Sequence, residues 1–278
     1  MSAKAAFLAD RGVISVAGAE AATFLQGLLT NDVLKLQPGE ARFAALLSPQ
    51  GKILFDFLVL RAGDAAAPQF LIDCPAALAA DLAKRLTLYR LRAKIDIADR
   101  SADLGVAAYW GGDAPQGAFR DPRAEALGLR RIGPRAELAA LGDDGYEAHR
   151  IGCGVPKGGV DFAYGDTFPH DANMELIHGV DFAKGCYVGQ EVVSRVQHRG
   201  TARKRVTPVR FAGDAPAIGA EIFAGDVAIG AMGASANGQG LAMLRVDKAA
   251  DALAGGLALT CGGVTLTPDL TEFVAAAE

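Results

Sequence analysis

The residue type in this sequence best suited to chemistry is the cysteine at position 186. It lies in the stretch Phe182 to Gly200, FAKGCYVGQEVVSRVQHRG, directly after Gly185 and two residues beyond Lys184. A thiol attacks electrophiles and binds soft metals as its thiolate, and a neighbouring ammonium favours that form. Gly179, Gly185 and Gly189 bracket the cysteine, so the backbone is free to take dihedrals closed to other residues or to let a ligand approach closely. The plain alternative is a small buried thiol, the usual state of a free cysteine. Cys74, Cys153 and Cys261 are far apart, form no CxxC pair and carry only that plain reading. Neither a disulfide framework nor a zinc site is expected, and His170, His178 and His198 lack metal-ligand spacing.

The second chemical feature is local charge. From Lys184 to Arg205 there are six basic residues (Lys184, Arg195, Arg199, Arg203, Lys204 and Arg205) and one acid, Glu191. On a chain of net charge −4, such a cluster fits a polyanion: a nucleic-acid backbone, a phosphate or a polyglutamate tail. A solvated face is the plain alternative. Asp56 interrupts an apolar strand and is either a face residue or a pocket acid, because a buried carboxyl needs a partner or a raised pKa. Asn31-Asp32 reads as a cap and turn. Trp110, the single tryptophan, reads as core.

The elements that must position these groups can be read from periodicity. Residues 13–16 read as a strand. Ala19 to Leu29 reads as a helix with Phe24, Leu25, Leu28 and Leu29 on one face. Arg42 to Leu47 and Lys52 to Leu60, joined by Ser48-Pro49-Gln50-Gly51, read as a β-hairpin. Phe70 to Cys74 is a strand, and Pro75 opens a helix reaching about Tyr89. Further strands fall at 94–98, 104–109 and 127–132, with a short helix at 136–141 and a long structured loop at 152–170. Glu191 to Gln197 is a helix or a strand. Beyond Val206, short apolar runs alternate with glycines, the pattern of a small β-barrel or sandwich. Strands and helices mix without steady βαβ alternation, so the expected class is α+β.

The 278 residues are 51% hydrophobic and 22% charged, a globular profile of roughly two domains. The expected division is 1–205, with subparts at about 1–100 and 101–205, followed by a barrel at 206–278. No run is long and apolar enough for a membrane span. Asp10 and Arg11 occupy the place of a signal's apolar stretch, so a cytoplasmic protein is expected. No interface is signalled, and a monomer is expected.

KGCYVGQE at 184–191, followed by Arg195 and Arg199-Gly200, resembles the signature of the YgfZ-type folate-binding proteins of iron–sulfur cluster maintenance. These share a superfamily with the glycine-cleavage T-protein, an aminomethyltransferase. The resemblance extends over Phe24 to Arg61 and over Tyr146, Arg150-Ile151, Gly154 and Pro156. It implies an α+β T-protein-like fold in two parts with a terminal barrel, arranged as a ring around a folate pocket. The implied ligand is tetrahydrofolate, with a basic site for a polyglutamate tail, and the implied partners are iron–sulfur client or assembly proteins. Cys186 is implied as the functional cysteine. Lys184, Tyr187, Gln190, Glu191, Arg195, Asp56, Tyr146 and Arg11 are implied around the folate. Arg11 and Tyr146 stand where the family has tryptophans, and Arg11 suits a carboxylate. Phe55-Asp56 stands where the T-protein has adjacent acids, which counts against glycine-cleavage chemistry. A folate-dependent one-carbon transferase using Asp56 is the first alternative function, and an RNA-interacting module using 195–205 the second.

Overall fold

A computed structural model describes residues 4–63, 69–113, 115–200 and 202–274. The chain divides into two compact units: Met1–Tyr146 with Leu176–Gln190, and Glu147–Glu175 with Glu191–Glu278.

The first unit contains β1 (Lys4–Phe7), β2 (Arg11–Ala17), α1 (Ala21–Gln26), β3 (Ala41–Leu47), β4 (Ile53–Arg61), β5 (Gln69–Pro75), α2 (Ala79–Arg90), β6 (Asp96–Asp99), β7 (Leu104–Trp110), β8 (Phe119–Arg120), β9 (Leu129–Pro134) and α3 (Arg135–Leu138). It is built on two antiparallel sheets, β3-β4-β5-β2-β6 and β1-β7-β9-β8. Alternation along each strand splits its residues between two faces. One face of the five-stranded sheet presents Ile14, Val16, Phe57, Val59, Phe70 and Ile72 to Leu25 of α1 and Leu82 and Leu86 of α2. Full burial of each such side chain is worth about 1.5–3 kcal/mol, and this cluster is the main core of the unit. From the opposite face, Val13 meets Ala6, Val106, Ala108, Trp110 and Tyr146 on the four-stranded side. Arg11, Asp56 and Asp73 share the sheet face of Val13, so charge is carried into the space between the two sheets.

The hairpin turn Ser48–Gly51 closes with Gly51 N donating to Ser48 O at 2.8 Å and Ser48 N to Lys52 O at 2.8 Å. The expected first helix is shorter than its apolar pattern. α1 ends at Gln26, and Leu28 and Leu29 continue into the core outside the helix. Leu29 instead bridges to Leu46 of β3, so a strand-like contact claims residues whose spacing also suits a helix.

The second unit contains α4 (Tyr146–Gly152), which opens at the last residue of the first unit, and α5 (Gln190–Arg199). Then come β10 (Lys204–Arg210), β11 (Glu221–Ala224), β12 (Val227–Ala236), β13 (Gln239–Arg245), α6 (Val246–Ala254), β14 (Leu259–Cys261), β15 (Val264–Pro268) and α7 (Thr271–Val274). The six strands form a closed antiparallel barrel in the order β10-β13-β12-β11-β14-β15. Its interior is Val209, Ile222, Ile229, Met232, Leu244, Leu259 and Leu266, with Ala249 and Ala252 of α6 against them. Closure brings backbones so near that a Cβ on Gly230 would lie 2.2 Å from Met243 O. The fold is therefore α+β with a terminal barrel, as the sequence leads one to expect.

Candidate functional site

The segment before Cys186 is fastened to the chain that follows α1. Thr30 Oγ1 donates to Gly179 O at 2.7 Å and accepts from Ala45 N at 2.8 Å, and Asp181 N donates to Thr30 O at 3.0 Å. Asn31 is not a helix cap. It is buried, and its Nδ2 donates to Phe43 O at 2.8 Å and His178 O at 2.6 Å. Asp181 then makes a tight turn, its Oδ1 accepting from Ala183 N at 2.8 Å and Lys184 N at 3.1 Å.

Lys184 turns inward and is 6% exposed. Its Nζ donates to Gln26 O at 2.7 Å, to Asn31 O at 3.1 Å and to Leu29 O. An ammonium has three donors, and all three are spent on backbone carbonyls: one on the last residue of α1, where a helix leaves its carbonyls unpaired, and two on the chain that follows it. Burial pulls the Lys184 pKa down to about 8, against the attraction of Asp32 and Asp181. Its donors are thus committed to the scaffold. Its Nζ also lies 5.1 Å from the centre of the Tyr187 ring. Tyr187 is 7% exposed, and among the described residues its hydroxyl has no hydrogen-bond partner. Burial, with the Asp181 charge, pushes that hydroxyl up to about 12.

Gly189 fixes the other side of the loop. Its φ is +83°, and a Cβ there would stand 2.6 Å from Ser48 O and 3.1 Å from Gly51 Cα, so its backbone lies directly on the β3–β4 turn. Between these anchors Gly185 and Cys186 are exposed, and nothing lies within 4 Å of where a Gly185 Cβ would be. The plain reading of Cys186 as a buried thiol is thus overturned. It does describe Cys74 and Cys261, which are buried. Burial pushes the Cys74 thiol up to about 12 and raises that of Cys261. Gln190 is half-buried, and Glu191 and Arg195 are exposed on the first turns of α5.

The structure gathers Arg11 and Tyr146 elsewhere, into a buried ion network between the two sheets of the first unit. Arg11 Nε donates to Asp73 Oδ1 at 2.5 Å, and Arg130 Nη1 donates to Asp73 Oδ2 at 2.5 Å. Arg130 Nε reaches Asp121 Oδ2 at 2.8 Å and its Nη2 reaches Tyr146 OH at 2.8 Å. Arg123 grips Asp121 with two donors, at 3.0 and 2.7 Å. Asp56 is buried and within the electrostatic reach of Arg11. Burial alone would raise the Asp121 carboxyl; the Arg123 and Arg130 charges outweigh it and hold that carboxyl well below the usual range. Arg11 does meet a carboxylate, but it is the protein's own Asp73.

Asp73, Asp121, Arg123 and Arg130 are absent from the sequence reading. Asp73 carries the same signal as Asp56, an acid inside an apolar run (FLIDCP); the two others on loops have no such mark. The basic cluster is also thinner than its sequence. Lys184 is buried, and Arg205 pairs with Glu175 and donates to His170 O at 2.6 Å. Arg195, Arg199, Arg203 and Lys204 remain exposed. In the second unit, Asn173 is buried with its Oδ1 unpartnered while its Nδ2 donates to Val206 O at 2.6 Å. Glu175 Oε2 is likewise buried, and neither acceptor has a hydrogen-bond partner among the described residues. Two acceptors in that state favour a donor-bearing ligand or water. Trp110 is core, edge-on to Tyr146 with ring centres 5.8 Å apart.

Residues 8–116 match the family described as the GCVT N-terminal domain, and residues 203–275 match the CAF17 C-terminal beta-barrel domain. The crystal structure of glycine cleavage system aminomethyltransferase T from Bartonella henselae has a TM-score of 0.77 over 98% of this chain and 86% of that one. The two are 18% identical, so the likeness is one of fold. The mitochondrial iron–sulfur cluster assembly factor IBA57 of Mus musculus is 32% identical, covering 86% of this chain and 77% of its own. That of Homo sapiens is 32% identical over 87% and 77%. The chain belongs to the IBA57 family of iron–sulfur cluster assembly factors. The IBA57 homolog of Mycosarcoma maydis is 36% identical over 75% of this chain, which spans 57% of that relative's length. All three IBA57 relatives are named as mitochondrial, and this overturns the expected cytoplasmic placement. Among the described residues, no helix is long and apolar enough to cross a membrane.

Proposed function

We propose that this protein is an accessory factor in the assembly or repair of iron–sulfur enzymes, that it binds a reduced folate, and that Cys186 is its reacting residue. We extend its kinship to the YgfZ-type proteins and keep a folate-binding region at 1–205, a barrel at 206–278 and a monomer. One observation carries the reading: Cys186 stands exposed at the tip of a loop whose neighbours, Lys184 and Gly189, are committed to holding it. A thiol so placed meets another protein's cluster, or a bound small molecule, without local unfolding.

The residues fit a folate through the unpartnered acceptors Asn173 Oδ1 and Glu175 Oε2. A pterin edge presents adjacent N–H donors and satisfies buried acceptors of that kind. Gln190, Glu191 and Arg195 are the expected residues with surface left to meet a ligand, Arg195 suiting a glutamate tail. Arg11, Asp56, Tyr146, Lys184 and Tyr187 hold the scaffold of the first unit.

The test is calorimetric titration with tetrahydrofolate and its triglutamate, on the wild type, Cys186→Ser and Glu175→Gln. Binding to wild type and Cys186→Ser, tighter for the triglutamate and about tenfold weaker in Glu175→Gln, is the expected result. Absence of binding to the folded wild type removes the folate. The assembly role is read separately: Cys186→Ser should fail to restore iron–sulfur enzyme activity in cells lacking the protein.

A further inference from the structure

The outer end of α2 and the turn after it carry a surface that the proposed function does not use. Leu82 and Leu86 of α2 are buried in the main core, but Leu88 is 65% exposed and Leu91 is 88% exposed. Leu91 also holds a left-handed backbone, φ 46° and ψ −104°, which costs a branched L-residue free energy. Around the two leucines, in KRLTLYRLRAK, stand Lys84, Arg85, Arg90, Arg92 and Lys94, all exposed. Among the described residues none of the five has its side chain in an ion pair, and the nearby acids are Asp81, Asp96 and Glu20, whose carboxylate accepts from the Lys94 amide. The dipole at a helix C-terminus accounts for a cation or two there. It does not account for two aliphatic side chains turned to water, one of them on strained backbone.

We propose that this end of α2 docks on an anionic lipid surface. Five cations without an ion pair among the described residues, on a chain of net charge −4, call for a negative partner. The leucines select among the candidates. A single-stranded nucleic acid is gripped by aromatic stacking, and both exposed apolar residues here are aliphatic. A protein partner would need a groove to receive a convex helix end, whereas a bilayer admits protruding leucines between headgroups that the cations attract. Each cation near an anionic membrane contributes about 1 kcal/mol, roughly fivefold in affinity.

The experiment is co-sedimentation of the full chain with vesicles of phosphatidylcholine alone and of phosphatidylcholine with phosphatidylglycerol in equal parts. Binding is expected only to the second and should weaken with added salt. Arg85→Gln/Arg90→Gln/Arg92→Gln should lose about a hundredfold, and Leu88→Ser/Leu91→Ser about tenfold. Leu91→Gly should lose binding while keeping or raising the melting temperature, since glycine relieves the backbone. Failure of the folded wild type to bind the anionic vesicles overturns the proposal. So does equal binding to polyuridylate that ignores the leucine substitutions, which would make the patch a nucleic-acid site.

Discussion

At the scale of single residues, Lys184 and Tyr187 make opposite predictions although they touch. Lys184→Met strips two buried carbonyls and one part-buried carbonyl of their donor and should cost about 2–4 kcal/mol in urea unfolding. Tyr187→Phe removes a hydroxyl that has no partner among the described residues and should be neutral or stabilising by up to about 1 kcal/mol. The pH dependence follows from the lysine. Its pKa in the fold, about 8, lies below its ordinary 10.5, so the unfolded chain holds the extra proton between those values. Stability therefore rises with pH across that window and is lost as pH falls towards 8. The rise should be seen in the wild type and be missing in Lys184→Met. Arg130 is the hub of the other cluster, touching Asp73, Asp121 and Tyr146. Arg130→Met should cost about 3–5 kcal/mol by leaving buried carboxylates underpaired. Because Asp121 is held below its ordinary value, its contribution is fully present above the ordinary carboxylate range and is lost as pH falls through and below that range. Arg130→Met should accordingly unfold in milder acid than the wild type.

At the scale of elements, the signature loop depends on the hairpin beneath it. Gly189→Ala places a Cβ against Ser48 O at a positive φ and should cost about 2 kcal/mol or more. Gly185→Ala meets open space and should change stability by no more than about 0.5 kcal/mol. The hairpin, the strand before Pro75, α2 and the barrel strands were legible because alternation, helical spacing and glycine punctuation agree locally. α6 was not: in VDKAADALA the buried residues are Val246, Ala249 and Ala252, and alanines carry little periodic contrast. α4 hid for another reason. It buries Arg150, whose charge is matched by Glu147 on the same helix and by Asp161 at 2.8 Å, and a buried arginine reads as a break in an apolar face. Cys186 was legible from its glycines and its motif. That Lys184 is tied to the end of α1 and the chain after it depends on where the carbonyls of residues 26, 29 and 31 fall in space.

At the scale of the molecule, the four cysteines sit in three environments, and native-state alkylation read by mass spectrometry should rank them. Cys186 should react first and half-buried Cys153, 4.0 Å from His149 Nε2, more slowly. Cys74 and Cys261 should react only on unfolding, because burial both shields them and raises their pKa values. Early labelling of Cys74 would contradict the packing of the main core.

The two anchors of the signature loop have a kinetic consequence. Four residues separate Lys184 from Gly189, and an extended chain gains only about 3.5 Å per residue. The thiol is therefore on a short leash and sweeps a small volume. A reactant held against this face would experience a high effective concentration of sulfur, whereas one merely colliding from solution would gain nothing. Lengthening the leash by inserting glycines after Gly185 should leave reaction with small free alkylators unchanged while slowing any transfer to a docked partner.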